Sequence, residues 1–354
     1  MVAPTVTQED PSLSGGDWTA PGVYRCAPDV YRIPLPLPSD GLRAVNVYAI
    51  ADGSADDPGW TLVDAGWALQ ESRELLADAM AALGVGLAGI RRFLVTHSHR
   101  DHYTQAVTVR REFGAEILIG AGEEPNLALV SDPEYVSHSY DLSRLQRAGA
   151  AHIASTVADW SVDHDSGQWE MPDGWLADGT RLGVGSGRTL EVVETPGHTR
   201  GHVVYADDGN GLLFAGDHVL PTITPSIGFE PLPLESPLAA FLTSLRLLLE
   251  RPDAELLPAH GVVGRRVHER VDELLAHHGE RLDASLAAVR EGRHTAFEVA
   301  GALGWTRRLR RLDELDLQNT MLAVNETLAH LDVLVERGAL TRTDVDGITR
   351  YDLS

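Results

Sequence analysis

Short apolar runs separated by polar, glycine-containing breaks set the rhythm of the first 120 residues. Runs at 30–37, 45–50, 60–63, 92–95 and 115–119 have strand length, and prolines in the first confine it to a sheet edge. Between them, 68–83 and 103–113 place apolar residues at helical spacing. From 120 to 176 the rhythm breaks into polar, His- and Trp-containing sequence with short helical runs. A segment of that length inside a domain is a lid or binding element, or else an inert surface insertion. Strands resume at 189–195, 203–205 and 212–215, followed by a helix at 235–249, a strand at 254–258 and a long amphipathic helix at 263–290. The Gly183-x-Gly185-x-Gly187 series reads as a turn. Helical patterns at 295–303 and 317–337 then precede a hairpin, 339–342 and 348–353, closed around Asp346-Gly347. Helices followed by a two-stranded wing suggest a winged helix. These patterns divide the chain into a flexible arm at 1–22, a main domain at 23–275 with an insertion at 120–176, and a winged-helix-like unit at 276–354.

Composition narrows the chemistry. The net charge is −23, and all 29 basic residues are arginine. That sign disfavours a polyanionic partner, since nucleic-acid affinity comes largely from cations displacing counterions. Residues 276–354 hold ten arginines against thirteen acids, a net of −3, and the 317–337 helix carries only Arg337. A phosphate-contacting helix is expected to carry more. The cluster Arg307, Arg308, Arg310 and Arg311 reads as a solvated charge run. A single cysteine, Cys26, excludes an intramolecular disulfide and a cysteine-based zinc site. The first twenty residues lack a basic and an apolar region of the signal-peptide kind, and no run approaches the ~20 residues that span a bilayer. A cytoplasmic location away from membranes is the expectation.

The densest chemistry lies in Thr96-His97-Ser98-His99-Arg100-Asp101-His102-Tyr103, at a strand-to-helix junction. In extended backbone His97 and His99 project to one side, while Asp101 and His102 point elsewhere, as a second metal would require. Imidazole and carboxylate together suit a borderline cation such as Zn²⁺. The alternative is a His-rich surface loop with ordinary hydrogen bonds, but four clustered polar groups cost free energy unless something satisfies them. More metal-capable residues stand just past apolar strands: Asp64, His198, Asp217 and His260, with Gly66, Gly197, Gly216 and Gly261 beside them to permit tight turns. His202 and His218 neighbour these positions and are candidates to line a substrate pocket; His138, His152 and His164 lie in the insertion.

With Val63-Asp64-Ala65-Gly66, the His97/His99/Asp101/His102 run, His198, Asp217 and His260 in this order, the sequence resembles the metallo-β-lactamase superfamily over about residues 30–275. The resemblance implies an α+β chain: a four-layer αββα sandwich with its site on one edge between two sheets, plus the small C-terminal domain. It implies two zinc ions per chain, with iron or manganese as alternatives. His97, His99 and His198 would hold the first ion; Asp101, His102 and His260 the second; Asp217 would bridge them and Asp64 would orient ligands by hydrogen bonds. The expected function is hydrolysis of a small ester, thioester or lactone by a metal-bound hydroxide, with Asp101 also able to accept a proton. No G-x-S-x-G elbow suggests a serine nucleophile. Two other readings stand beside it. One is an endoribonuclease or nucleic-acid-binding protein of the lactamase-like winged-helix branch. The other is a persulfide dioxygenase with one iron, which a complete second ligand set disfavours. The partner expected is a small molecule, and the C-terminal domain would serve as a lid, a packing element or a homodimer contact.

Overall fold

The computed structural model describes the chain except residues 1–5, 8–9, 39–40, 54–56, 136–138, 159–164, 186 and 307, and only the backbone of 6–7 and 139–140. His138, His164 and Arg307 therefore lie outside the described residues. An eight-stranded sheet runs in chain order through β1 (Val6–Thr7), β2 (Val23–Ala27), β3 (Val30–Pro36), β4 (Ala44–Ala51), β5 (Trp60–Val63), β6 (Ile90–Val95), β7 (Glu116–Gly120) and β8 (Gly174–Leu176). A five-stranded sheet holds β9 (Arg181–Val184), β10 (Arg188–Glu194), β11 (Val203–Asp207), β12 (Leu212–Gly216) and β13 (Glu255–Pro258), and β14 (Leu340–Val345) pairs with β15 (Ile348–Leu353) as a hairpin. The helices are α1 (Gln70–Ala82), α2 (Arg100–Phe113), α3 (Glu124–Val130), α4 (Ser139–Arg147), α5 (Ala151–Ala158), α6 (Pro237–Leu249), α7 (Val267–Arg290), α8 (Ala296–Ala302) and α9 (Leu317–Glu336).

Alternation along the strands separates the layers, because successive side chains point to opposite faces. Val47, Ala49, Phe93 and Val95 face α1 and α2. Tyr48, Ile50 and Leu94 face Val192, Val203, Tyr205 and Phe214 of the other sheet. Val193, Val204, Leu213 and Leu256 face outward again, onto α6 and α7. The result is the four-layer αββα sandwich. The same period explains strands buried on both faces, with no polar stripe to mark them.

Several expectations need adjustment. β3 is interior where β2 pairs with Val30, Tyr31 and Arg32, and only its proline-bearing end, Pro34–Pro36, has a single neighbour. The prolines sit where no second ladder needs their N–H. The segment read as a loose arm is anchored over its described part: the Asp10 carboxylate is buried against Arg32, with Arg32 Nη2 donating to Asp10 Oδ1 at 2.7 Å. The 275/276 boundary falls inside α7. One buried cluster joins Leu145, Ile153 and Val157 of the insertion, Phe241 of α6, Leu274 of α7, Val299 of α8 and Leu331 of α9. The insertion thus packs into the C-terminal helices. Asp346 and Gly347, both at positive φ, close the terminal hairpin as a primed turn does.

Strand direction assembles the site. β5 runs parallel to β6 and β12 to β13, so their C-terminal ends lie side by side. β10, antiparallel to β11 as β11 is to β12, ends on the same edge. Backbone hydrogen bonds knit the sheets there: Val203 N–H donates to Thr96 O at 2.9 Å and Asn46 N–H to Ala259 O at 2.6 Å.

Candidate metal centre

Four strand ends deliver the predicted ligand residues to one place. His97 and His99 follow β6, and His99 caps α2, whose first turn carries Asp101 and His102. His198 follows β10, Asp217 follows β12 and His260 follows β13. The structure brings them together as two groups. His97, His99, His198 and Asp217 place one ligand-type atom each within 4.8 Å of one another, and so do Asp101, His102 and His260.

Within the first group His97 Nε2 lies 3.0 Å from His99 Nδ1, and His198 Nε2 lies 3.3 and 3.1 Å from those two atoms. Asp217 faces both groups, with Oδ2 3.4 Å from His198 Nε2 and Oδ1 3.2 Å from His260 Nε2. Asp101 Oδ2 lies 3.4 Å from His260 Nε2 and 3.6 Å from His102 Nε2.

The outward ring nitrogens fix which nitrogen carries the proton. His99 Nε2–H donates to Phe229 O at 2.9 Å, His198 Nδ1–H to Ser226 O at 2.6 Å and His260 Nδ1–H to Ala44 O at 2.7 Å. His102 Nδ1–H donates to Asp64 Oδ2 at 2.9 Å. Thr96 Oγ1 spends its proton on Asp64, so it accepts from His97 Nδ1–H at 3.0 Å. Neutral imidazole has one donor and one acceptor nitrogen. His97, His99 and His198, all lowered by burial, therefore aim a lone pair inward, and His102 and His260 turn Nε2 the same way. Three lone pairs about 3 Å apart with no proton among them repel, and a cation at their focus removes the repulsion.

Orphaned atoms give the same answer. His102 Nε2, His260 Nε2 and Asp217 Oδ1 are buried without a hydrogen-bond partner. Such atoms cost about 1–3 kcal/mol each unless something satisfies them. Burial and the surrounding imidazoles hold His97 well below its usual range and His99 down to about 3. Burial opposes charge on His102 too, but Asp64, Asp101 and Asp217 outweigh it and raise it to about 10. Burial also opposes the Asp217 carboxylate, yet His260, His102 and His198 hold it well below the carboxylate range. Carboxylates around His102 make the centre a place of unbalanced negative potential. The donor set, its tautomers and its field all fit a pair of divalent cations.

Asp64 sits at φ 60, in the left-handed region that Asp tolerates better than most residues. Its carboxylate accepts from Thr96 N–H at 2.8 Å as well as from Thr96 Oγ1 and His102. Gly216 is required before Asp217: at φ 50, a Cβ there would lie 2.7 Å from His202 Nε2 and from Thr96 Oγ1.

His202 and His218 are both fully buried. His202 takes the Asp217 N–H on Nε2 at 3.2 Å and donates from Nδ1 to Thr195 Oγ1 at 2.9 Å, which holds the Asp217 backbone in place. Neighbouring rings close over both: His97 stacks on His202, and Phe241 of α6 meets His218. His218 packs edge-on to Phe241, and burial takes it down to about 3. His152 is exposed and stacks edge-on against Phe297, while His278 and His330 form a buried pair at 3.1 Å. Arg311 is engaged in a two-pronged pair with Asp313. Sequence reasoning missed Thr96, Glu123, Ser226 and Phe229. Thr96, directly before the motif, was within reach of it; the others carry no local signal.

Ser226 and Phe229, whose carbonyls hold His198 and His99, also line a cavity of ≈ 210 Å³. Arg144 of α4, Trp305, and Asn319 and Asn325 of α9 are also part of its wall.

Comparison with known proteins matches residues 40–260 to the metallo-beta-lactamase superfamily and 282–354 to the metallo-beta-lactamase-like C-terminal domain. The chain is 24% identical to the "Probable metallo-hydrolase YqjP" of Bacillus subtilis (strain 168), over 88% of this chain and 94% of that one. It is 23% identical to the atrochrysone carboxyl ACP thioesterase of Aspergillus fumigatus, over 80% of this chain and 52% of that one. Two solved structures superpose along nearly the whole length. A metallo-beta-lactamase family protein from Thermus thermophilus has TM-score 0.74 and 29% identity, covering 93% of this chain and 100% of that one. A beta-lactamase domain protein from Burkholderia ambifaria has TM-score 0.79 and 27% identity, covering 94% of each. With a family match across more than half of its length, the chain belongs to the metallo-beta-lactamase superfamily and is related to its metallo-hydrolases.

Proposed function

We propose that the protein hydrolyses a small thioester, ester or lactone with two divalent cations, most simply zinc. The observation that carries this reading is the convergence of five imidazole nitrogens in two groups, with one Asp217 oxygen facing each. His97, His99 and His198 would hold one ion, Asp101, His102 and His260 the other, and Asp217 would bridge. Bound there, such ions lower the pKa of water from about 15.7 towards ~7 and polarise the carbonyl under attack. The chain's own groups would do the rest. Asp64, Thr96 and the carbonyls of Ala44, Ser226 and Phe229 keep each ring in the tautomer that points its lone pair inward. The Asp101 side chain, at 13% the most exposed carboxylate of the centre, would take up a proton as the acyl bond breaks.

A thioester is the preferred substrate because two of the relatives are named for that chemistry: the ACP thioesterase and a hydroxyacylglutathione hydrolase of Haemophilus influenzae, 27% identical over 36% of this chain and 49% of that one. The cavity walled by Ser226 and Phe229 suits a small molecule. Net charge of −23 weighs against RNA. An intact second ligand group weighs against a site with one iron. No helix among the described residues is long and apolar enough to cross a membrane.

Elemental analysis of untagged protein, with thioester and lactone hydrolysis followed in parallel, tests the reading. Two ions per chain, lost together with hydrolysis in His97→Ala and Asp217→Asn, is the expected result. One iron per chain would replace hydrolysis with oxygen chemistry, and no bound metal would end the proposal.

A further inference from the structure

The insertion begins with a turn that touches the three-histidine group and not its neighbour. Glu123, fully buried, accepts hydrogen bonds from Ser98 Oγ and from Thr199 Oγ1. Ser98 lies between His97 and His99, and Thr199 follows His198. Backbone N–H groups of Ser98 and Gly201 point at the same carboxylate. Four donors match the acceptor capacity of one carboxylate. Three residues on, buried Asn126 donates from Nδ2 to Glu230 Oε2 and accepts Leu232 N–H on Oδ1 at 2.9 Å. That steadies the segment whose Phe229 carbonyl orients His99. The backbones are in intimate contact: a Cβ on Gly201 would fall 2.1 Å from Glu123 N. Only glycine fits there.

The other group has its own support. Asn46 Nδ2 donates to Pro258 O and Gly261 O, both at 3.0 Å, on either side of His260. Asn46 Oδ1 accepts from Arg32 Nη1 at 2.8 Å, and Arg32 is held in turn by Asp10. His102 is held by Asp64. Among the described residues no hydrogen bond joins this Asp10–Arg32–Asn46 series to Glu123 or Asn126.

We propose that Glu123 is a positioning residue for the three-histidine half of the centre alone, setting the affinity of that half for a divalent cation, while Asn46 does the same for the His260 half. Resting on the two-cation reading above, this makes the start of the insertion a scaffold for the metal site. The physical reason is that a buried carboxylate holding two ligand loops at once fixes their separation, and ligand convergence within a few tenths of an ångström decides metal affinity. Partners of this kind are worth about 10–100-fold in affinity.

The test is a zinc titration of the full chain against a chromophoric chelator, repeated with cobalt to read the spectrum of each half. His198→Ala and His260→Ala identify which binding step belongs to which half. Glu123→Ala should weaken the His198 step by about 10–100-fold and leave the His260 step in place. Glu123→Gln, which keeps one acceptor oxygen, should lose less. Asn46→Ala should show the opposite selectivity. If Glu123→Ala does not fold, Ser98→Ala and Thr199→Val remove the two hydroxyls and keep the carboxylate, and should weaken the same step. Equal weakening of both steps, or of neither, in a parent that binds two ions overturns the proposal and leaves the two-cation reading standing. A parent that binds no ions overturns both.

Discussion

Asp64→Asn isolates hydrogen-bond polarity from shape. Asp64 sits in the left-handed region, which Asn tolerates as well as Asp, so the substitution adds no backbone strain. The carboxylate works only as an acceptor: Oδ1 takes the Thr96 N–H and Oδ2 takes His102 Nδ1–H. An amide has one accepting end. In one rotamer its NH₂ faces His102 Nδ1–H, in the other it faces the Thr96 N–H, and either way two donors meet in a buried site. His102 can escape by moving its proton to Nε2, which puts N–H where a lone pair is needed. Hydrogen bonds to a charged group are worth about 1.5–3 kcal/mol, and the loss of such a supporting partner costs about 10–100-fold in metal affinity. That range corresponds to about 1.4–2.7 kcal/mol.

The assay is competition with an indicator chelator, combined with urea unfolding of metal-free and loaded protein. The His102 half should lose that affinity, and the gap between loaded and metal-free stability should shrink by a similar amount. Asp64→Asn with parent affinity for both ions, and an unchanged gap, would refute the assignment of His102's tautomer to Asp64.

Two further outcomes follow from the same geometry. Stripping the cations with a chelator should lower stability by about 2.7 kcal/mol for each ion relative to protein held at 100 times the dissociation constant, because the ions bind the folded chain; identical urea midpoints with and without chelator would count against a preorganised metal site. Arg32→Met should cost about 3–5 kcal/mol, since it strands Asp10, whose side chain is 1% exposed. Burial raises the pKa of Asp10, but Arg32 and Ser12 outweigh it and the net shift is downward. A lowered folded pKa gives stability that is fully present above the unfolded value of ~3.9 and is lost as pH falls through the folded one. The difference in urea midpoint between parent and Arg32→Met should therefore narrow on acidification, and a constant difference from neutral pH downward would show that Asp10 is not the partner that matters.

What could be read from the chain was what its neighbours in sequence encode. His97, His99, Asp101 and His102 announce themselves within six residues, and Asp64, His198, Asp217 and His260 each end an apolar run. The two-sheet core was implied by the resemblance to the superfamily, and alternation accounts for it after folding, since Tyr48 and Leu94 face one way and Val47 and Phe93 the other. Short or polar strands such as β2, β8 and β9 escaped because pairing, more than composition, makes them strands. Arg32 could have been found: alternation puts it on the face of Val30, where a charge is out of place unless it is paired. The burial of His202 and His218 could not be read in advance, because proximity in sequence to Asp217 says nothing about which side of β12 the packing leaves open.

Glu123 shows where sequence reading must stop. Nothing around it in Gly122-Glu123-Glu124 differs from an ordinary solvated helix start. Its meaning comes from Ser98, 25 positions earlier, and Thr199, 76 positions later. The cavity beside the metal centre is the same kind of object, walled by Arg144, Ser226, Phe229 and Asn325 from separate stretches of chain. Metal chemistry can be written locally because a cation asks for a few soft or charged atoms on rigid strand ends. A substrate asks for a shape, and shape is made by segments that meet only after folding. The candidate ligand set was therefore legible in this chain before any substrate, and variants of the cavity wall, more than of the histidines, are where selectivity among the proposed thioesters, esters and lactones should change.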